Sequence, residues 1–204
     1  MNKLIIIGAS GHGKVVADIA ALIGYKDIVF LDNDSGIKIC AGHPVLGPDT
    51  MTSELDGDVF VAVGNAEIRK KLMERDANRN FPVLIHPSAV IAESAEVGAG
   101  SVVMAGAVIN PGARIGKGCI INTSSSVDHD CMVGDYVHIS VGAHLSGTVV
   151  VGTGTWIGAG AIVSNNVDIC ADCVIGAGAV VIKDITEPGT YVGVPARLKR
   201  DSRI

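Results

Sequence analysis

Cut into sixes from Ile91, residues 91–186 read IAESAE, VGAGSV, VMAGAV, INPGAR, IGKGCI, INTSSS, VDHDCM, VGDYVH, ISVGAH, LSGTVV, VGTGTW, IGAGAI, VSNNVD, ICADCV, IGAGAV and VIKDIT. The first residue of all sixteen hexads, from Ile91 to Val181, is a branched aliphatic. A helix repeats every 3.6 residues and a strand every two, so a period of six belongs to neither alone. Short strands joined by regular corners into a parallel β-coil satisfy it, each rung pairing with the next and stacking its aliphatic in an internal ladder. Glycine often follows the aliphatic, as at Gly98, Gly116 and Gly152, where a corner needs a backbone free of Cβ restrictions. Two places before it stands a small residue, such as Ala107, Cys119, Ser125, Cys131, Thr155 or Cys173, expected to point inward.

The composition agrees with that reading. Among 204 residues there are 26 glycines and only 3% aromatics, against 48% hydrophobic residues, so a core must be filled by small and branched side chains. A net charge of -5 without a Lys/Arg run argues against nucleic acid or an anionic membrane as partner. The one basic group, Arg197, Lys199, Arg200 and Arg203, reads as a solvated tail. No stretch reaches about 18 unbroken apolar residues, and the start MNKLIIIGASG has no signal-peptide core, so the expected location is the cytoplasm. Five cysteines, two of them as Cys170-x-x-Cys173, form neither a disulfide framework nor a metal site in such a chain, and no metal is expected.

Ahead of the repeat, residues 1–82 read as a separate unit, with residues 83–204 forming the coil and its tail. Lys3-Leu-Ile-Ile-Ile runs as a buried strand into Gly8-Ala-Ser-Gly-His-Gly13, and Val15, Val16, Ile19, Ala20, Leu22 and Ile23 follow at helical spacing. Asp27–Asn33 and Asp58–Asn65 read as further strands, and Glu67–Arg79 as a charged helix. A glycine-rich turn between strand and helix offers backbone N–H groups to a diphosphate. The G-x-x-G-x-G spacing departs from the dinucleotide fingerprint, and a unit of three or four strands accommodates one mononucleotide, so a nucleotide-sugar fits better than NAD. Asp32 closes the second strand where an acid would meet a ribose hydroxyl. Ser10 is no nucleophile elbow, because G-x-S-x-G would need glycine at His12.

Within the repeat, Asn122–Cys131 carries polar and ionisable groups in place of the usual filler. His129 stands two places after the inward Val127 and is expected to face outward, flanked by Asp128 and Asp130, either able to fix its tautomer and raise its basicity. His138 and His144 precede inward aliphatics and are expected on the outer surface without a role of their own. Cys131 packs inward, which disfavours an acyl-enzyme.

The segments GASGHG, FLDN, VAVGN, IHPSA, NTSSSVDHDC, VHISVGAHLSG and YVGVPARLKR, together with the hexads, resemble the sialic-acid O-acetyltransferase group of hexapeptide-repeat acyltransferases. Within that group the chain is most similar to the bacterial UDP-4-amino-sugar N-acetyltransferases of the bacillosamine pathway. The resemblance implies a small Rossmann-like α/β domain followed by a left-handed parallel β-helix with three hexads per coil, hence about five coils. It implies acetyl transfer from acetyl-CoA to the 4-amino group of a UDP-linked amino sugar, by direct attack with His129 as general base and Asp130 as its orienting partner. The family often has Glu at the latter position. Acetyl-CoA contacts map onto His138, Ala159 and Ala177, the last two through backbone amides. Sugar-nucleotide contacts map onto Ser10, Gly11, His12, Asp32, Asn33 and Gly64, with Asn33 where a second Asp can stand. A homotrimer with active sites between neighbouring coils is implied as well. The alternatives are a sugar O-acetyltransferase of the sialic-acid type, a GDP-perosamine-type N-acetyltransferase, and a non-enzymatic scaffold carrying a nucleotide sensor.

Overall fold

The computed structural model describes residues 3–199. Its N-terminal sheet is built from β1 (Lys3–Ile7), β2 (Asp27–Leu31), β3 (Ile39–Cys40), β4 (His43–Gly47) and β5 (Asp58–Val61), in the order β3-β4-β2-β1-β5. β1 lies parallel between β2 and β5, so its side chains are buried on both sides. Leu4 and Ile6 pack with helix α1 (Gly11–Leu22) through Val16 and Ile19, while Ile5 and Ile7 face Met73 of helix α2 (Ala66–Arg75). The turn into α1 needs glycine twice. Gly8 has φ +107° with the Ala62 carbonyl oxygen 2.8 Å from where a Cβ would lie, and a Cβ on Gly13 would collide with the Gly8 carbonyl.

Two details differ from the sequence reading. The sheet has five strands, because β3 and β4 form a short antiparallel hairpin whose Pro44 and brevity hide it from pattern analysis. Helix α2 stops at Arg75, four residues short of the expected Arg79. Arg79 instead turns back and donates to the carbonyls of Thr52, Leu55 and Gly57, tying the Asp49–Glu54 3-10 turn to the end of the helix.

From Leu84–Ile85 onward the chain winds in two-residue strands onto three faces. The first runs through Val102–Val103, Ile120–Ile121, His138–Ile139, Trp156–Ile157 and Val174–Ile175. The second holds six strands from Val90–Ile91 to Val180–Val181, and the third five from Glu96–Val97 to Asp168–Ile169. Each strand pairs in parallel with the one eighteen residues on, as Ser126 with His144 and His138 with Trp156. This is a left-handed parallel β-helix. Inside it Ile109, Ile121, Val127, Ile139, Ile157 and Ile175 are at most 1% exposed, and Ala107, Cys119, Cys131 and Cys173 fill the corners between them. Burying such an aliphatic is worth about 1.5–3 kcal/mol before chain entropy is counted. After the last coil, Thr190–Val192 adds to the first face and Arg197–Leu198 pairs antiparallel with it. Of the basic tail, Arg197 and Lys199 are exposed, and Arg200 and Arg203 lie outside the described residues.

The N-terminal unit covers the lower part of the first face. Val102, Met104 and Ile120 share one core with α1 and β1. Arg69 of α2 reaches across as a buried clamp, its guanidinium donating to Val63 and Gly64 on one side and to Gly118 and Tyr136 of the coil on the other. Among the described residues no helix is long and apolar enough to cross a membrane.

Candidate active site

The corner 128–131, between the second and third faces, holds His129 clear of the coil. Asp130 takes the left-handed conformation there (φ 58°), which aspartate tolerates better than most residues. The backbone is pinned on both sides, by Asp130 N–H to the Pro111 carbonyl and Thr148 N–H to the His129 carbonyl. The two flanking acids do different work. Asp128 accepts from the His129 N–H (2.8 Å) and from Asn110 Nδ2 (2.7 Å), so it braces the corner and does not touch the ring; these bonds, Asn110 first, pull its carboxyl below the usual range. Asp130 Oδ2 lies 2.9 Å from His129 Nδ1. A carboxylate only accepts, so Nδ1 carries the proton of the neutral ring and Nε2 keeps its lone pair free. The same bond, aided by the charges of Asp128 and Asp130, pushes the His129 pKa above its ordinary value. With 56% of the side chain exposed, Nε2 is open to a substrate.

Gly147, one coil on, packs against that ring. A Cβ there would fall 2.6 Å from His129 Cε1 and closer still to Nε2. Its N–H donates to no backbone or side-chain acceptor among the described residues. A free lone pair and an N–H without an acceptor thus belong to residues in contact on successive coils, the two functions that acyl transfer needs for proton removal and oxyanion binding. Gly147 was not singled out from the sequence, although it stands eighteen residues after His129, the spacing that stacks residues on successive coils.

His138 requires a correction. It does point out of the coil, but it is not a surface histidine. The N-terminal unit covers it, and burial first, then the Arg69 charge, pushes its pKa down to about 3. It stacks on Trp156 (centroids 5.4 Å apart, planes within 7°). His12, at the start of α1, is held neutral for the same reasons, with a pKa of about 4. His144, by contrast, is exposed and bonds Ser126 Oγ. Beside His138 opens a cleft of about 420 Å³, walled by Gly64–Glu67 on one side and by Trp156, Val174 and the Gly154–Thr155 corner on the other. Ala159 and Ala177 are exposed and stack on the corner between the first and second faces, where neither amide N–H has an acceptor among the described residues.

The glycine-rich turn leaves Ser10 and Gly11 exposed at the start of α1, and Gly64 exposed at the end of the neighbouring β5, both at the carboxyl edge of the parallel sheet. Asp32 is tied into this edge. Its Oδ2 accepts from Ala9 N–H (2.7 Å) and its Oδ1 from Asp34 N–H (2.9 Å). Asn33 spends both ends of its amide on Asp49. His12, His138, Arg69 and Gly64 are therefore gathered at one junction, whereas His129 stands on a different edge of the coil. Arg69 and Trp156 were not foreseen. Arg69 lies in a run of charges and gave no apolar signal, but Trp156 follows His138 by eighteen residues.

A coil of aliphatic hexads, joined to a glycine-turn unit and bearing a carboxylate-oriented histidine at a corner, defines a β-helix acyltransferase. Comparison with known proteins gives the particular branch. A family profile described as the PglD N-terminal domain matches residues 3–75. The UDP-N-acetylbacillosamine N-acetyltransferase of Bacillus subtilis (strain 168) is 39% identical over 113 residues, a match spanning only about half the length of that relative (52%) and 52% of this chain. The acetyltransferase domain of PglB from Neisseria gonorrhoeae FA1090, in complex with acetyl coenzyme A, is 45% identical with a TM-score of 0.94, over 97% of this chain and 99% of that one. PerB from Caulobacter crescentus, in complex with CoA and GDP-perosamine, is 37% identical with a TM-score of 0.92, over 98% of each. The chain belongs to the hexapeptide-repeat acetyltransferases with this N-terminal domain.

Proposed function

We propose that the protein transfers an acetyl group from acetyl-CoA to the amino group of a nucleotide-linked amino sugar, the 4-amino group of a UDP-linked amino-dideoxy sugar being the preferred acceptor. The observation that carries this reading is the His129–Asp130 pair with Nε2 free, its ring in contact with Gly147, whose N–H has no acceptor among the described residues. The sugar amine attacks the thioester carbonyl carbon, forming the C–N bond while His129 Nε2 takes the amine proton. The carbonyl oxygen gains negative charge and is held by Gly147 N–H. The C–S bond then breaks, and the departing thiolate leaves as CoA thiol with the proton returned by His129. Asp130 favours the imidazolium in between.

Ser10, Gly11, His12 and Gly64 are the proposed seat of the nucleotide diphosphate, with N–H donors and the α1 terminus suited to its charge, and Asp32 meets a ribose hydroxyl. Asn33 serves that seat through the Asp32–Asp34 turn it anchors. His138 and the amides of Ala159 and Ala177 receive the acetyl donor. His129 stands on another edge of the coil from His138, so the two meet in a homotrimer in which one copy's His129 faces a neighbour's cleft. Residues 1–82 act as the nucleotide domain and 83–204 as the transferase domain, in the cytoplasm.

The similarity to PerB along nearly the whole chain supports a second acceptor, a GDP-linked amino sugar. Thiol release measured against UDP- and GDP-linked 4-amino sugars and free sialic acid separates the readings. Faster turnover of the UDP compound is expected; turnover of sialic acid alone would make the protein an O-acetyltransferase.

A further inference from the structure

Trp156 is the only tryptophan of the chain, and it is 49% exposed on the outer surface of the coil. Its ring is fixed twice. The indole Nε1–H donates to Ser140 Oγ (2.6 Å), and one ring face stacks on His138. An aromatic ring held this firmly, with surface left open to a cleft, presents a preformed apolar platform at little entropic cost.

The neighbouring histidine supplies a second and independent sign of a ligand. Asn122 Oδ1 accepts from Thr123 N–H (2.8 Å), which orients the amide so that its Nδ2 faces His138 Nε2 at 3.2 Å. Nε2 is therefore the acceptor, and the neutral imidazole carries its proton on Nδ1. That Nδ1–H is buried and has no partner among the described residues, and His12 Nε2 is in the same condition. Buried donors left unpaired cost free energy unless a ligand satisfies them. The cleft thus joins a flat apolar face to unpaired polar atoms, and it adjoins the Gly64 loop at the edge where the nucleotide is placed. A pyranose ring has this chemistry, an apolar face of C–H groups rimmed by oxygens.

We propose that Trp156 is the platform for the pyranose ring of the nucleotide-linked amino sugar, a specificity-determining residue whose open face seats the sugar's apolar face next to the His138 that receives the acetyl donor. This rests on the nucleotide-amino-sugar reading above. Because the chain has one tryptophan, its emission reports the site directly.

The intact protein is titrated with a UDP-linked 4-amino sugar, with UDP alone and with acetyl-CoA. The amino sugar shifts or quenches Trp156 emission whether or not acetyl-CoA is bound, whereas UDP leaves it nearly unchanged. In steady-state assays Trp156→Leu raises the KM for the amino sugar about ten-fold with the acetyl-CoA KM unmoved, and Trp156→Phe recovers most of the loss. The proposal is overturned if emission responds to acetyl-CoA and not to the amino sugar, in which case Trp156 belongs to the acetyl donor. It is overturned equally if UDP alone reproduces the whole response and the Leu variant keeps the wild-type KM. Should the wild type turn over no nucleotide amino sugar, the functional reading fails by itself, and the binding titration still decides whether Trp156 meets the sugar.

Discussion

Replacing Gly147 by alanine separates catalysis from folding. The added methyl would lie 2.6 Å from His129 Cε1 and closer still to Nε2, against about 3.4 Å for an ordinary contact, so the ring must retreat by about 1 Å or swing away. Retreat is easy, because the His129 side chain is 56% exposed and held only by Asp130. Gly147 has no left-handed conformation to lose, so the melting temperature should stay within about 2 °C of wild type. Turnover responds far more strongly. A displacement near 1 Å at a reacting group costs about a hundred-fold, while alanine keeps the backbone N–H at position 147. Gly147→Ala should therefore lower kcat about thirty- to several-hundred-fold, read as thiol release at saturating substrates. In a His129→Ala background the same change should cost less than about three-fold, since the displaced group is already gone. A Gly147→Ala enzyme within three-fold of wild-type kcat would refute the contact between Gly147 and a working His129.

Three further outcomes follow from the same geometry. His129 must be deprotonated to act, and Asp130 raises its pKa, so kcat/KM should climb with pH through a value above 6.5; Asp130→Asn should move that limb to lower pH, and an unmoved limb would assign it to another group. The sign for stability is the opposite one: the protonated pair stabilises the fold fully below the unfolded-state value and is lost as pH rises through the folded one. Ile139→Asp puts an unpaired carboxylate into a fully buried rung and should abolish soluble expression or cost several kcal/mol, whereas an unchanged melting temperature would mean that position 139 does not face inward. Arg69→Met leaves the carbonyls of Val63, Gly64, Gly118 and Tyr136 without their donor and should cost about 3–5 kcal/mol, a fall in melting temperature of roughly 6–20 °C; an unaltered melting curve would show the clamp to be dispensable.

The coil was readable because its period survives every substitution in the repeat. Ile91 to Val181 fix which residues face inward, and the structure keeps that register at Ile109, Val127 and Ile139 alike. The exposed place of His129 followed from the same count. Partners across coils were readable in principle, since eighteen residues separate stacked positions: Asn110 and Asp128, His129 and Gly147, His138 and Trp156. Other features depend on tertiary placement. His138 counts as an outward histidine in sequence, and only the docking of the N-terminal unit over the first face makes it half-buried and neutral. Arg69 looks like one more charge on a polar helix until the coil's carbonyls surround it. The β3–β4 hairpin is too short, and too interrupted by Pro44, to display a period.

The central claim is that His129 removes the proton from the acceptor amine, and the direct measurement is kcat for His129→Ala with saturating acetyl-CoA and UDP-linked 4-amino sugar. General-base catalysis contributes about a hundred- to ten-thousand-fold, so a folded variant with unchanged assembly and acetyl-CoA binding should lose that factor in kcat. A His129→Ala enzyme that keeps more than about a third of wild-type kcat contradicts the account, because a three-fold loss is far below what removal of a general base produces.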